Sequence, residues 1–170
     1  MFRYGKLIFL IAVAAVVATF LYISNGLVRD LAAQERERME IWADATKEII
    51  SVSSIDHDTA PSVDIDFLLR IIERNTTIPV LLTDDNGSIM QQRNFSDMPD
   101  ALNPDNPLEL SQANEVYLQK KLENLRQSPN VIDIEIAPGE ALHLYYEDST
   151  LLKRLNYFPY IQLLVMLAFI

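Results

Sequence analysis

The sequence predicts an α+β protein, an antiparallel sheet with a long N-terminal helix, flanked by two transmembrane helices. Three observations carry this expectation. Residues 7–23, LIFLIAVAAVVATFLYI, hold no charge, proline or glycine. Residues 27–54 then continue in helix-forming residues, again without proline or glycine. Further on, two pairs of short strand-like runs are each joined by a glycine turn, Asn86-Gly87 and Pro138-Gly139.

As a helix, residues 7–23 would span roughly 25 Å, close to the ~30 Å hydrocarbon core of a bilayer. Tyr4, Gly5 and Tyr22 suit its two ends. A water-soluble helix of this length ordinarily shows a polar face, and this one has none. Arg3 and Lys6 precede the run, so the positive-inside rule places residues 1–6 in the cytoplasm and residue 24 onward outside. The run exceeds the roughly 7–15 apolar residues of a signal peptide, and its exit, TFLYISNGLV, lacks a small-x-small cleavage pattern. An uncleaved anchor is expected.

The 170 residues suffice for one modest domain plus membrane segments. Acids outnumber bases 24 to 14, for a net charge of −10. Two of the bases, Arg3 and Lys6, lie before the apolar run, so the remainder is more acidic still. Nucleic acid is therefore excluded as an expected partner, since phosphate binding needs clustered Lys and Arg. There is no cysteine, hence no disulfide and no thiolate metal site. The four glycines, Gly5, Gly26, Gly87 and Gly139, form no phosphate-binding loop.

Residues 24–63 read as a membrane-proximal signalling helix and a loop. Val28, Leu31, Glu35, Arg38, Trp42, Ala45, Ile49 and Val52 alternate spacings of three and four, an a/d seam interrupted by Glu35 and Arg38. Two packings use such a seam: a parallel dimer continuous with the membrane helix, or the helix's own domain. The loop SSIDHDTAPSVD follows. Its Asp56, His57 and Asp58 are adjacent, and three adjacent loop residues cannot all face one ion, so a solvated loop is expected.

Residues 64–150 form the outer domain. Residues 64–75 predict a short helix capped by Asp64, with Phe67, Leu68, Ile71 and Ile72 as its buried stripe. Residues 78–83 and 88–95 predict a hairpin, with Asn86-Gly87 in a type I′ turn that puts both residues at positive φ. Residues 98–107 hold Pro99, Pro104 and Pro107 and predict a loop. Residues 110–126 predict a helix capped by Ser111, with Val116, Leu118, Leu122 and Leu125 apolar. In VIDIEIA, Ile132, Ile134 and Ile136 face one way while Asp133 and Glu135 face water. Residues 141–146 return as its partner strand. An antiparallel sheet with helices on one side satisfies this order.

No catalytic or metal-ligating residues are expected in this stretch, and the ligand-binding residues are unknown from sequence. His143 sits in an alternating strand, where a structural or solvent-facing role is expected. The acidic pairs Asp84-Asp85 and Glu147-Asp148 fit turns and solvated ends better than a cation site. No serine or threonine occupies a nucleophile elbow.

The segment VLLTDDNGSIM, with Asp84, Gly87 and Ile89, resembles the opening hairpin of PAS and Cache-type sensor domains, in which an apolar strand runs into an Asp-x-x-Gly turn and a second strand. A long membrane-derived helix precedes it. After it, residues 151–170 begin what reads as a second transmembrane helix, cut short at Ile170, with Tyr157, Phe158 and Tyr160 as an interfacial belt. Lys153 and Arg154 stand on the outer side, and Pro159 marks either the helix start or a kink.

This layout is similar to the extracytoplasmic sensor region of bacterial membrane-bound sensor histidine kinases, and the likeness covers essentially the whole chain. It implies the input module of a two-component system in the inner (cytoplasmic) membrane. The stimulus would be detected outside and transmitted through paired membrane helices. A homodimer, ATP and Mg in a kinase core beyond residue 170, and a response regulator as partner are implied with it. The same front end also fits a chemoreceptor, a cyclic-nucleotide enzyme or an anchored interaction protein of the cell envelope.

Overall fold

The computed structural model describes residues 2–53, 64–104, 106 and 109–169. The loop carrying Asp56, His57 and Asp58, and also Pro107, lie outside the described residues. Eight elements follow in order: α1 (Phe2–Ser53), α2 (Ile65–Arg74), β1 (Val80–Thr83), β2 (Ile89–Arg93), α3 (Gln112–Leu125), β3 (Val131–Ala137), β4 (Glu140–Tyr146) and α4 (Thr150–Phe169). The chain divides into two compact units. One is Glu35–Ser149; the other joins the residues up to Gln34 with those from Thr150 on.

Glu35–Ser149 is the α+β unit. Its four strands lie in the order β2-β1-β4-β3, all neighbours antiparallel. The two hairpins therefore meet along β1 and β4, with Val80 opposite Tyr146 and Leu82 opposite Leu144. Side chains alternate across the sheet, so two cores form. On one face Met39, Trp42 and Ala43 of α1 pack with Val80, Leu82, Ile134, Leu142, Leu144 and Tyr146. On the other, Leu118, Leu122 and Leu125 of α3 pack with Leu81 and Phe95.

Helices thus cover both faces of the sheet, not one as the element order suggests. All four residues of β1 are buried, which requires a cover on each side. A wet face survives at β3, where Asp133 and Glu135 are exposed and Ile134 is buried.

The packing also decides the seam of α1. Glu35, Trp42 and Ala45 are buried within their own unit. The helix therefore spends these positions on its own domain. Two predicted stripes shift as well. No residue of α2 is fully buried, and Phe67 is 54% exposed, while Leu68, Ile71 and Ile72 are half-buried. On α3, Val116 is 67% exposed and Asn114 takes the inward place one turn before Leu118. Asn114 is tolerated there because its side chain exchanges two hydrogen bonds of 3.0 Å with the backbone of Asp100.

The caps stand where the sequence puts them. The Asp64 carboxylate accepts from the Phe67 N–H at 2.9 Å, and the Ser111 hydroxyl accepts from the Asn114 N–H at 3.2 Å. The first hairpin turn differs from the type I′ expectation. Gly87 has φ 81°, but Asn86 is not at positive φ. The Gly87 N–H donates to the Asp84 carbonyl at 3.0 Å, and the Asp84 carboxylate accepts from the Ser88 N–H at 2.7 Å. These bonds set a three-residue loop that needs only its last residue left-handed. The Ser88 N–H is also the largest cause holding the Asp84 carboxyl below its ordinary pKa.

In the second unit, the N-terminal part of α1 packs against α4. The rings of Phe20 and Phe158 lie 6.3 Å apart. A cleft of about 310 Å³ opens beside them, between Val16 and Leu21 of α1 and Gln162 and Val165 of α4. Pro159 lies inside α4 and not at its start. Among the described residues α1 is the one helix long and apolar enough to cross a membrane, and 6% of its apolar window is buried.

Candidate functional site

A cavity of about 440 Å³ lies within the α+β unit, between α1, α2 and the lead into β1. Helical spacing builds it. On α1, Arg38, Met39, Ile41 and Trp42 bring successive turns to one side; on α2, Ile71, Arg74 and Asn75 do the same. Thr77 and Ile78 close the end nearest the sheet. The deep wall is rigid: Met39, Trp42 and Ile78 are each nearly inaccessible and belong to the core under the sheet.

A polar clamp fixes the rim. Asn75 ends α2, and its side chain donates to the Ile78 carbonyl at 2.9 Å and accepts from the Ile78 N–H at 3.1 Å. Asn94, just past β2, donates to the Asn75 carbonyl at 2.8 Å and to the Ile78 carbonyl at 2.9 Å. Asn94 does so at φ 63°, the left-handed region that few residues other than glycine adopt.

Three features of this cavity bear on chemistry. Trp42 carries a buried indole Nε1 that finds no acceptor among the described residues. Arg38 and Arg74 line it and are exposed, and neither has an ion-pair partner among the described residues. No Asp or Glu is among the described residues that line it. Among the described residues its lining combines apolar side chains with two cations.

The polar residues singled out by sequence are not brought together here. His143 lies on the sheet, its Nδ1 2.7 Å from Asp133 and its Nε2 3.3 Å from Asp85. Asp84 closes its turn, and Asp85 accepts from the Ala141 N–H at 3.1 Å. Glu147 pairs with Lys121 at 2.7 Å, and Asp148 accepts from the Asn130 amide at 3.0 Å. Burial opposes the Lys121 charge, but the hydrogen bond and charge of Glu147 outweigh it and raise its pKa. Both acidic pairs thus serve the fold. Among the described residues no group of His, Asp and Glu is placed to hold a metal ion.

Sequence reasoning passed over Arg38, Trp42, Arg74 and Asn75 as a group. Arg38 reads there as a break in a seam, and Arg74 falls within the short helix of residues 64–75 without a role of its own. The one usable signal was Trp42, the single tryptophan of the chain, on the same stretch as an arginine that interrupts an apolar pattern.

No protein-family model, curated protein or solved structure matches this chain.

Proposed function

We propose that this chain is the extracytoplasmic input region of a membrane-bound sensor histidine kinase, with residues 7–23 and the apolar part of α4 as its paired membrane helices. The α+β unit would then be a PAS/Cache-like sensor domain outside the cytoplasmic membrane. The observation that carries the reading is the join between the two ends of that unit. Glu35 is its first residue and Ser149 its last. The buried Glu35 carboxylate accepts from the Ser149 N–H at 3.0 Å and from the Ser149 hydroxyl. The domain therefore begins and ends at one bonded point, with α1 carrying the chain in and α4, starting at Thr150, carrying it out.

A receptor built this way works by differential affinity. A stimulus that binds one arrangement of α1 against the sheet better than another shifts the population of helix arrangements. The homodimer implied by such a receptor forms without Trp42 and Ala45, which are committed to the chain's own core. Kinase chemistry, with ATP and Mg, would lie beyond residue 170 and pass phosphate to a response regulator.

The test is deletion of residues 64–137 from the complete receptor, with membrane insertion and stimulus-dependent autophosphorylation measured side by side. Insertion should persist while the response disappears. A response that survives the deletion rejects the sensor role.

A further inference from the structure

We infer that His143 is a proton-operated tie at one end of the seam where the two hairpins meet. Strand register builds it. β4 lies between β1 and β3, with Thr83 opposite His143 on one side and Asp133 opposite it on the other. The His143 Nδ1 lies 2.7 Å from Asp133, and its Nε2 lies 3.3 Å from Asp85, which stands in the turn just past β1. Both ring nitrogens thus face a carboxylate. A neutral imidazole has one N–H and leaves its other nitrogen a bare lone pair, whereas the imidazolium has an N–H at each. The two contacts are both attractive only while the ring carries its second proton.

Asp85 connects this contact to the fold. One of its oxygens meets His143, and the other accepts from the Ala141 N–H at 3.1 Å. A single carboxylate so carries the pairing of β1 with β4 past its last registered pair, Thr83 and His143. The ring side chain is 28% exposed, so it can give its proton to water. One N–H then remains, and the shorter contact, to Asp133, keeps it. A lone pair faces the Asp85 anion, and that end of the seam loosens. Because the proton favours the tied arrangement, the tie is complete at low pH and is lost as pH rises through the range where histidine titrates, about pH 5 to 8.

Other charged and titratable groups stand around the ring. In the turn, Asp84 stays ionised, since the Ser88 N–H holds its carboxyl below its ordinary pKa. At the end of α3, Arg126 lays its guanidinium against Gly87 and keeps its charge throughout. On β3, Glu135 lies two residues from Asp133 on the same face. On β4 itself, the Tyr145 ring lies 6.3 Å from the imidazole. Of these side-chain types, only histidine ordinarily changes charge between about pH 5 and 8. That the proton is the receptor's stimulus rests on the sensor reading above; that it operates the tie does not.

The whole chain in lipid nanodiscs is followed by amide hydrogen exchange at about pH 5 and about pH 8, corrected for the intrinsic effect of pH. The Ala141 amide reports the tie. The Glu147 amide, which donates to the Pro79 carbonyl at 2.9 Å past the opposite end of the seam, is the reference. Ala141 should lose protection by about fivefold at the higher pH, the scale of a part-exposed ion pair, while Glu147 stays level. His143→Gln and Asp85→Asn should each abolish the step. In a His57→Gln background His143 is the one histidine, and nitrogen NMR at the higher pH should place the remaining ring proton on Nδ1. The inference is overturned by no step at Ala141, by an equal step at Glu147, by a step that survives either substitution, or by the proton on Nε2. The first two are read on the parent chain, whatever the folding of the variants. An Ala141 step that leaves autophosphorylation of the complete receptor unmoved, when only the outer pH is changed, upholds the tie and rejects the proton as the sensor's input.

Discussion

Replacing Asn94 tests the clamp that shapes the cavity rim. Its amide donates to two carbonyls, Asn75 at 2.8 Å and Ile78 at 2.9 Å, from a backbone at φ 63°. Each hydrogen bond contributes about 1 kcal/mol net. The Ile78 carbonyl keeps its bond from the Asn75 amide, so most of the loss falls on the Asn75 carbonyl. Asn94→Gly removes both bonds but keeps a residue at ease with positive φ, and should cost about 2 kcal/mol. Asn94→Ala removes the bonds and adds a Cβ in the left-handed region, and should cost about 3 kcal/mol. Urea unfolding followed by Trp42 emission measures both, because Trp42 is the single tryptophan and sits in the core under the sheet. Alanine no worse than glycine would refute the backbone part of the argument. Two variants within ~0.5 kcal/mol of the parent would refute the clamp itself.

Two further outcomes follow from groups with unusual surroundings. The Thr83 hydroxyl is buried and has no partner among the described residues, so Thr83→Val should raise stability by about 1 kcal/mol in the same urea assay; a loss would show that the hydroxyl is satisfied. Stability should also fall at alkaline pH. Lys121 has its pKa raised above the ordinary 10.5 because Glu147 outweighs the opposing effect of burial, and Tyr146 is raised above 10.0, chiefly by burial. For both, the folded protein holds the proton more tightly than the unfolded chain. Their contributions are complete below the unfolded values and are lost as pH rises through the folded ones. Lys121→Met should make the urea midpoint fall less steeply above pH 10.5, and an unchanged slope would deny Glu147 its part.

The closest link between stability and the proposed role lies at Glu35. A buried carboxylate needs partners, and here both come from the last residue of the unit. The polar break that Glu35 makes in the apolar pattern of α1 is thus not a weakness of the helix. It is the fastening of one end of the domain to the other, and a membrane-linked receptor would move or hold that point as its ligand comes and goes.

What the sequence determined by itself is local. Asp64 and Ser111 announce their helices because a cap is a contact between residues three apart. Gly87 and Gly139 announce their turns because positive φ is a property of single residues. The alternation of VIDIEIA sorts Ile134 from Asp133 because a strand repeats every two residues. The tertiary structure decided what these elements meet. It gave the sheet a helix on each face, turned Val116 out and Asn114 in, and spent Trp42 and Ala45 on the chain's own core. It also brought Arg38 and Arg74 to one cavity. Those outcomes depend on pairs far apart in the chain, and an apolar stripe says only that it must be covered, not by what.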